Sequence, residues 1–217
     1  MVQKSEDAPA APLPRPRGRP RSFDTEATLA NATLAFWQRG YAATSMDDLS
    51  AATGLNRPSL YGAFGDKHAL YLQALQLYTE QSQAAMTAAL QGRPLREGLQ
   101  RVYALALQLY CPAGEAARGC LLIGTAASEA PRDEAIRAAL GDALRRFTAA
   151  FEARLQQAVD SGELPAGTDV AMRAELAAAV LHSLALRARA GDPPEALAAL
   201  ARAGVAMLVS PAGTPAP

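Results

Sequence analysis

The stretch DLSAATGLNRPSLYGAFGDKHAL, residues 48–70, predicts two short helices that are joined by a tight glycine turn. Thr44 is expected to cap the first helix, with Asp47 three residues later in a capping-box-like arrangement. Asn56 can cap the second helix, where Pro58 falls in the first turn and removes no helical hydrogen bond. This pattern is typical of a helix-turn-helix, in which the second helix is free to enter a DNA major groove.

Helical patterns also flank this stretch on both sides. Leu29 and Phe36 belong to an apolar series with spacings of three and four residues, which stops at Gly40. Asp66 can cap a fourth, longer helix that ends near Gly92. The sequence therefore predicts a three-helix core, built from the first helix and the helix-turn-helix, that leads into a long helix.

The remainder of the chain, residues 94–209, reads as several long helices. Its breaks fall at CPAGEAARG, EAPRDE, SGELPAGTD and AGDPP, which all carry proline or glycine. No run alternates between apolar and polar residues as a half-buried strand does. With 50% apolar and 19% charged residues, the chain suits a packed all-α fold without a sheet.

The second helix of the motif carries the candidate DNA contacts. Arg57 and Tyr61 lie four residues apart, so they share a stripe beside the apolar Leu60 and Phe64. The arginine can read a guanine edge or bind a phosphate, and the tyrosine hydroxyl can donate to a phosphate. Small residues such as Ser59 keep the helix slim enough for close approach, and Ser59 and the capping residue Asn56 are themselves candidate DNA contacts. The alternative is that the tyrosine is merely half-buried.

Lysine and arginine balance aspartate and glutamate at 21 each, so a DNA site must come from the local placement of charge. Lys67 falls in the first turn of the fourth helix, where free amides and a lysine make a good phosphate site. Thr44 and the amides after it, including that of Ser45, make a second one. The alternative for Lys67 is a simply solvated side chain.

Residues 1–21 are rich in proline and alanine, and such a segment is expected to be mobile because it buries little surface. Its end alternates Arg15, Arg17, Arg19 and Arg21 with proline and glycine. This segment is either a solvated tail or a basic arm that reaches into a DNA groove.

From about Gly18 to Leu70 the sequence resembles the DNA-binding domain of the TetR family of bacterial transcriptional regulators. The resemblance is carried by Arg17-Gly18-Arg19-Pro20-Arg21, Phe36, Gly40-Tyr41, Thr44-Ser45-Met46, Leu49, Gly54-Leu55-Asn56, Leu60-Tyr61, Phe64-Gly65 and Lys67. It implies a homodimer that binds a palindromic operator in double-stranded DNA, usually as a repressor. It also implies a helical C-terminal domain that binds a small-molecule inducer and changes the spacing of the two recognition helices.

Composition and this resemblance together divide the chain into a basic arm (1–21), a helix-turn-helix domain (22–68), a helical ligand-binding and dimerisation domain (69–209) and a disordered tail (210–217). By the same resemblance, helices from about Asp169 to Ala190 and from Pro194 to Val209 pair with their copies in a dimer. Their alanine- and leucine-rich sequences allow such close packing, although the same face could be intramolecular core.

The inducer is expected to be apolar or aromatic, because the candidate pocket residues are mostly apolar or aromatic themselves. They equally describe ordinary core, and they are Tyr103, Leu107, Tyr110, Cys120, Ile123, Phe147, Phe151 and His182.

Two of these candidates have distinct alternatives. Cys120 is either a thiol at a helix start, where the dipole favours the thiolate and a redox or electrophile switch is possible, or a buried small hydrophobe. His182 is most simply a hydrogen-bonded residue of the bundle and alternatively a ligand contact. Cys111 lies beside a predicted loop, and His68 is expected to be solvated.

No metal site or cofactor is predicted, because two histidines and two cysteines are scattered without ligand spacing. The few cysteines and the lack of a signal peptide or membrane span indicate a cytoplasmic protein. Two other functions stay open at this point. One is an all-α enzyme with Cys120 as nucleophile and His182 as base, and the other is a helical interaction module without DNA binding.

Overall fold

The computed structural model describes residues 23–210, and within that range it contains helices, turns and no strand. The all-α prediction is confirmed. The α-helices are α1 (Thr25–Arg39), α2 (Met46–Thr53), α3 (Arg57–Phe64), α4 (Lys67–Leu90), α5 (Leu95–Tyr110), α6 (Ala127–Glu129), α7 (Glu134–Asp160), α8 (Val170–Ala190) and α9 (Pro194–Val209). A π-helical segment, Leu122–Ala126, precedes α6. The predicted arm residues Arg17, Arg19 and Arg21, and the predicted tail after Ser210, lie outside the described residues.

The helix starts follow local side-chain chemistry. The Oδ1 atom of Asn56 accepts a hydrogen bond from the Ser59 amide at the start of α3, and Asp66 caps α4, so both predicted caps are confirmed. The predicted cap of α2 is wrong by one residue. Ser45, not Thr44, is the N-cap, and it forms a reciprocal capping box with Asp48.

The first three helices enclose a small apolar core. Phe36 of α1, Leu49 of α2 and Leu60 and Phe64 of α3 are buried in it. The half-buried side chains of Leu29, Met46 and Leu55 pack against the same cluster. Between α2 and α3 the backbone of Gly54 has a φ of 70°, a left-handed conformation that glycine adopts without strain.

The long helix α4 joins the two halves of the described chain. It packs on α1 and also on α5 and α7. Helix α8 packs against α5, α7 and α9, and α9 also lies along α5. The C-terminal helices therefore form a bundle around α5 and α8, and α4 extends from that bundle to the helix-turn-helix.

None of the helices in residues 23–210 combines the length and the apolar character needed to span a bilayer.

Candidate DNA-binding surface and internal cavity

Helix α3 turns one face to the protein core and the other to solvent. Leu60 and Phe64 are buried, whereas the Tyr61 residue is 49% exposed and the Arg57 side chain is 52% exposed. The guanidinium and the phenol therefore point away from the protein. This is the orientation that a recognition helix needs to reach base edges and phosphates.

The guanidinium of Arg57 is held by a carboxylate of the preceding helix. Its Nε atom donates to Oδ1 of Asp47 over 2.7 Å, and one of its terminal nitrogens lies 2.5 Å from Oδ2. The hydrogen bond from Arg57 lowers the pKa of Asp47. An exposed pair of this kind contributes little to stability, but its two-point geometry fixes the direction of the guanidinium. Sequence reasoning missed this role of Asp47, because the pair crosses the turn rather than following one helix face.

The other predicted DNA contacts divide by exposure. Ser45 and Asn56 are exposed and Ser59 is half-buried, all at or near the caps of α2 and α3. Thr44 is fully buried, and its hydroxyl donates to the carbonyl of Gly40 over 2.6 Å. The prediction of a Thr44 side-chain contact with DNA is corrected accordingly, since that side chain is used to close the loop between α1 and α2.

Lys67 lies at the start of α4 and packs on an aromatic ring. Its Nζ atom is 4.5 Å from the ring centroid of Tyr41, so a cation–π contact holds the half-buried side chain. The Tyr41 ring in turn lies 4.7 Å from Tyr71 of α4. Burial raises the pKa of Tyr41, and the nearby carboxylates add to this effect. The ammonium group is therefore positioned by the protein rather than simply solvated.

His68, predicted to be solvated, instead contacts the C-terminal bundle. Its Nε2 atom lies 2.8 Å from Oδ2 of Asp133, the N-cap residue of α7. The pKa of Asp133 is lowered, first by the amide of Ile136 and also by the imidazole. This contact links the beginning of α4 to α7.

A partly open cavity of about 90 Å³ lies between α4, α5, α7, α8 and residues 120–123 at the start of the π-helix. Its lining is mostly apolar. Of the residues predicted to form a pocket, the structure places these on the cavity: Tyr110, Cys120, Ile123, Phe147 and His182. Tyr78, Met86, Leu105, Leu109 and Leu181 also line it, and sequence reasoning did not single them out. Nothing in their local pattern distinguishes them from other core residues of the same helices.

The remaining pocket candidates lie elsewhere, which corrects the predicted set. The hydroxyl of Tyr103 donates to the carbonyl of Ala177 over 3.0 Å, and Phe151 is fully buried with its ring 6.3 Å from that of Tyr103. Tyr103 and Leu107 line a separate groove with Val205 of α9. Being four residues apart on α5, they share a face that is directed at α9 rather than at the cavity.

The polar groups of the cavity wall are grouped around the sulfur of Cys120. The Tyr78 hydroxyl donates to this sulfur over 3.3 Å, and Tyr110 lines the same cavity. Burial raises the pKa of the Cys120 thiol, so the thiol is protonated at neutral pH. Of the two sequence alternatives for Cys120, the structure favours the buried thiol.

His182 stands apart from that group. Its Nε2 atom is buried and has no hydrogen-bond partner in residues 23–210. The expectation of a histidine satisfied within the bundle is therefore wrong. Burial lowers the pKa of His182, which keeps the imidazole neutral at pH 7.

Arg118 and Gly119, which directly precede Cys120 of the cavity wall, contact helix α1 of the DNA-binding half. The indole Nε1 of Trp37 donates to the carbonyl of Gly119 over 3.0 Å, and the guanidinium of Arg118 lies 4.4 Å from the Trp37 ring centroid. Arg189 of α8 donates to the carbonyl of Arg118 over 3.2 Å. Gly119 directly precedes Cys120, so one peptide separates a contact with α1 from the wall of the cavity.

A second contact joins the π-helical segment to α4. The hydroxyls of Tyr71 and Thr125 lie 2.6 Å apart in a buried hydrogen bond. Burial raises the pKa of Tyr71 to about 12. The Tyr71 ring also packs on Phe36 and Tyr41 of the helix-turn-helix domain. We term residues 118–126 the junction segment. This segment lines the cavity on one side, and on the other it contacts Trp37 and Tyr71 at the base of the helix-turn-helix domain.

Helices α8 and α9 carry exposed large apolar side chains: Met172, Leu176, Leu186 and Met207. In the part of the chain that is described, no group of three side chains is arranged to hold a metal ion.

Comparison with known proteins agrees with this geometry. Residues 29–74 match a family described as bacterial regulatory proteins, tetR family, and residues 98–204 match the tetracyclin repressor-like, C-terminal domain. The chain is 31% identical over 191 residues to the HTH-type transcriptional repressor ComR of Escherichia coli (strain K12). This alignment covers 85% of the present chain and 89% of ComR. A cysteine mutant of the TetR family regulator CifR, solved with 26-bp operator DNA, is 33% identical. It superimposes with a TM-score of 0.79 over 87% of this chain and 98% of that chain.

Proposed function

The chain belongs to the TetR family of bacterial transcriptional regulators, and we propose that it is a homodimeric repressor released from a palindromic operator by a small, largely apolar inducer. It is a DNA-binding regulator and not an enzyme, which removes the cysteine-dependent enzyme and the DNA-independent module from consideration. The observation that carries the proposal is the outward orientation of Arg57 and Tyr61 on α3. Because its target is DNA, its place of action is the bacterial cytoplasm.

In this proposal, α3 enters the major groove. Arg57 contacts a base edge or phosphate when DNA offers an acceptor that competes with Asp47, and Tyr61 donates to a phosphate. Lys67, held over Tyr41, binds the phosphate backbone at the start of α4. Ser45, Asn56 and Ser59 lie at the caps of α2 and α3, where backbone amides can face phosphates. Arg17, Arg19 and Arg21 act as an arm in the adjacent minor groove.

The dimer is proposed to form through α8 and α9. Their exposed methionines and leucines would be covered by the same helices of a second copy. The Cβ of an alanine at Gly204 would lie 2.9 Å from Val180, so α9 already packs very closely on α8 within one chain. A two-fold dimer presents two copies of α3 to two half-sites, which explains why the operator should be palindromic.

The inducer is proposed to act through the junction segment. A molecule that occupies the cavity touches Cys120 and Ile123, and both residues belong to the junction segment. The same segment accepts the hydrogen bond from Trp37 and shares a hydrogen bond with Tyr71 through Thr125. Occupancy that shifts the segment therefore shifts the base of the helix-turn-helix domain. Release follows if the ligand binds the shifted state more tightly than the DNA-bound state.

A thiol-reactive inducer is the second form of this proposal. Cys120 lines the cavity, so an electrophile that enters the cavity meets the sulfur directly. The raised pKa of the thiol makes this reaction slow at neutral pH, because the thiolate is the nucleophile. We therefore favour reversible binding as the main signal.

The proposal is tested by selecting fragments of the source genome on the purified full-length protein. The retained fragments should share an inverted repeat, and binding should fall steeply as salt screens the phosphate contacts. Small apolar molecules and electrophiles are then added to the complex, and release is followed by fluorescence anisotropy. Retention of fragments without a shared repeat, or binding that does not respond to salt, contradicts the proposal.

A further inference from the structure

We propose that the cavity takes a small, uncharged, mostly apolar molecule with one hydroxyl group, of the phenol or alcohol class, and that this hydroxyl hydrogen-bonds to Nε2 of His182. This inference deepens the proposed function, since it names the class of inducer and the residue that selects it.

The first argument is the hydrogen-bonding state of the cavity wall. The hydroxyl of Tyr78 is engaged with the Cys120 sulfur over 3.3 Å. His182 also lines the cavity, and its buried Nε2 atom has no hydrogen-bond partner in the described part of the chain. A buried polar atom without a partner is destabilising, and in native proteins it usually has a specific role. A ligand that supplies the missing hydrogen bond removes that cost only when it is bound.

The second argument is the absence of charge. Among the described residues that line the cavity there is no lysine, arginine, aspartate or glutamate. The imidazole itself is neutral, because burial lowers the pKa of His182. A carboxylate or an ammonium group would therefore lose its hydration in the cavity without gaining an ionic partner. This excludes charged molecules in favour of uncharged ones.

The third argument concerns the type of polar group and the size of the molecule. One nitrogen of a neutral imidazole is a donor or an acceptor according to its tautomer, and a hydroxyl can serve either one. The remaining wall consists of side chains such as Phe147, Met86 and Leu181, which suit an aromatic or aliphatic body. A volume of about 90 Å³ restricts that body to roughly one ring.

The test compares phenol with toluene, which has a methyl group in place of the hydroxyl, and with benzoate, which adds a charge. Binding of each probe to the full-length protein is measured by isothermal titration calorimetry. Phenol is expected to bind the parent at least about ten-fold more tightly than toluene, and benzoate is expected not to bind. In His182→Leu the phenol preference should fall to about one-fold, while toluene should bind as well as before or better.

Two further variants keep the result interpretable. His68→Leu makes the same substitution at the histidine outside the cavity, and it should keep the full preference for phenol. His182→Gln retains a donor and an acceptor at the cavity wall and should keep part of the preference, even if His182→Leu does not fold. Equal affinity for phenol and toluene in the parent, no binding of either probe, or a preference that persists in His182→Leu would overturn the inference.

Operator release is measured separately, by anisotropy of a labelled operator duplex in the presence of phenol. Phenol that binds through His182 without releasing the operator contradicts the proposed function and leaves this inference standing. Release by phenol and toluene alike, in the parent and in His182→Leu, contradicts this inference and leaves the proposed function standing.

Discussion

The DNA-binding surface and the cavity use their polar side chains in opposite ways. On the surface, Arg57 is paired with Asp47 although water could hydrate both groups. In the cavity, Nε2 of His182 has no partner within residues 23–210 although the atom itself is buried. An exposed ion pair adds little stability, so its main effect is to position the side chain. A buried polar atom without a hydrogen bond lowers stability, and that atom is available to a ligand. The comparison supports the proposal that each region serves a different partner, a duplex in one case and a small uncharged molecule in the other.

The largest expected effect distinguishes the turn of the DNA-binding surface from the junction beside the cavity. Gly54 and Gly119 have similar positive φ values of 70° and 63°. The Cβ of an alanine at Gly54 would meet no atom within 4 Å, whereas at Gly119 it would lie 2.5 Å from the carbonyl oxygen of Ala185. Gly54→Ala should lower the free energy of unfolding by about 1 kcal/mol, and Gly119→Ala by about 3 kcal/mol or more.

Urea unfolding of the two variants, followed by circular dichroism, makes this comparison. Gly54→Ala is the matched control, because it places an alanine at a similar positive φ without the steric contact. Equal losses of stability would mean that the junction segment is not tightly packed against α8.

The helix-turn-helix and the cavity also differ in how much of each could be predicted from sequence. The helix-turn-helix depends on caps, a glycine and apolar spacings within a few residues, so α1 to α4 and the exposed stripe of α3 were predictable. Even there, the choice between Thr44 and Ser45 as N-cap was wrong, because the two side chains have the same chemistry and only the loop geometry separates them.

The cavity depends on contacts between distant parts of the sequence. Trp37 and Gly119 are 82 residues apart, and Tyr78 and Cys120 are 42 residues apart. No local pattern indicates which aromatic residues of a long helix face one another. Tyr103 and Phe151 are of the same residue types as Tyr110 and Phe147, which do line the cavity. This is why the sequence assigns Tyr103 and Phe151 to the pocket although they lie away from it.

The next largest effect is expected from the hydrogen bond between Trp37 of α1 and Gly119 of the junction segment. Trp37→Phe keeps an aromatic ring beside Arg118 but leaves the buried carbonyl of Gly119 without its donor. It should lower the free energy of unfolding by about 1–3 kcal/mol. It should also weaken the effect of an inducer on operator affinity, because one of the contacts of the junction segment is lost.

Both quantities are measured on the full-length protein, by urea unfolding and by operator titration with and without the inducer. Tyr61→Phe is the control, since it alters the DNA-binding surface and leaves the junction segment unchanged. If Trp37→Phe retains the full inducer response, the junction segment does not carry the signal.

A smaller effect concerns the pH dependence of stability. The pKa of His182 is lowered from 6.5 by burial, so below pH 6.5 the unfolded state binds a proton that the folded state does not. The contribution of this histidine to folding is therefore lost as the pH falls from 6.5. His182→Leu should be at least as stable as the parent at pH 7.5, and its advantage should widen between pH 6.5 and pH 5. Thermal unfolding at several pH values tests this, and a constant difference would indicate a hydrated imidazole.

The smallest effect is expected at the phosphate contact of α4. Lys67→Ala should lower the slope of log affinity against log salt by about one, on operator and random duplexes alike. Salt titrations of both duplexes measure it. A loss confined to the operator would mean that Lys67 reads sequence rather than charge.

The central claim is that the face of α3 carrying Arg57 reads the operator. Its most direct test is the affinity of Arg57→Ala for the selected operator at fixed salt, measured by fluorescence anisotropy. Arg39→Ala serves as control, because Arg39 is also exposed and paired with an aspartate of α2 but lies on α1. Arg57→Ala should lose about ten-fold to one-hundred-fold in operator affinity and much less on random duplex, with Arg39→Ala close to the parent. Operator binding by Arg57→Ala as tight as that of the parent would contradict the claim.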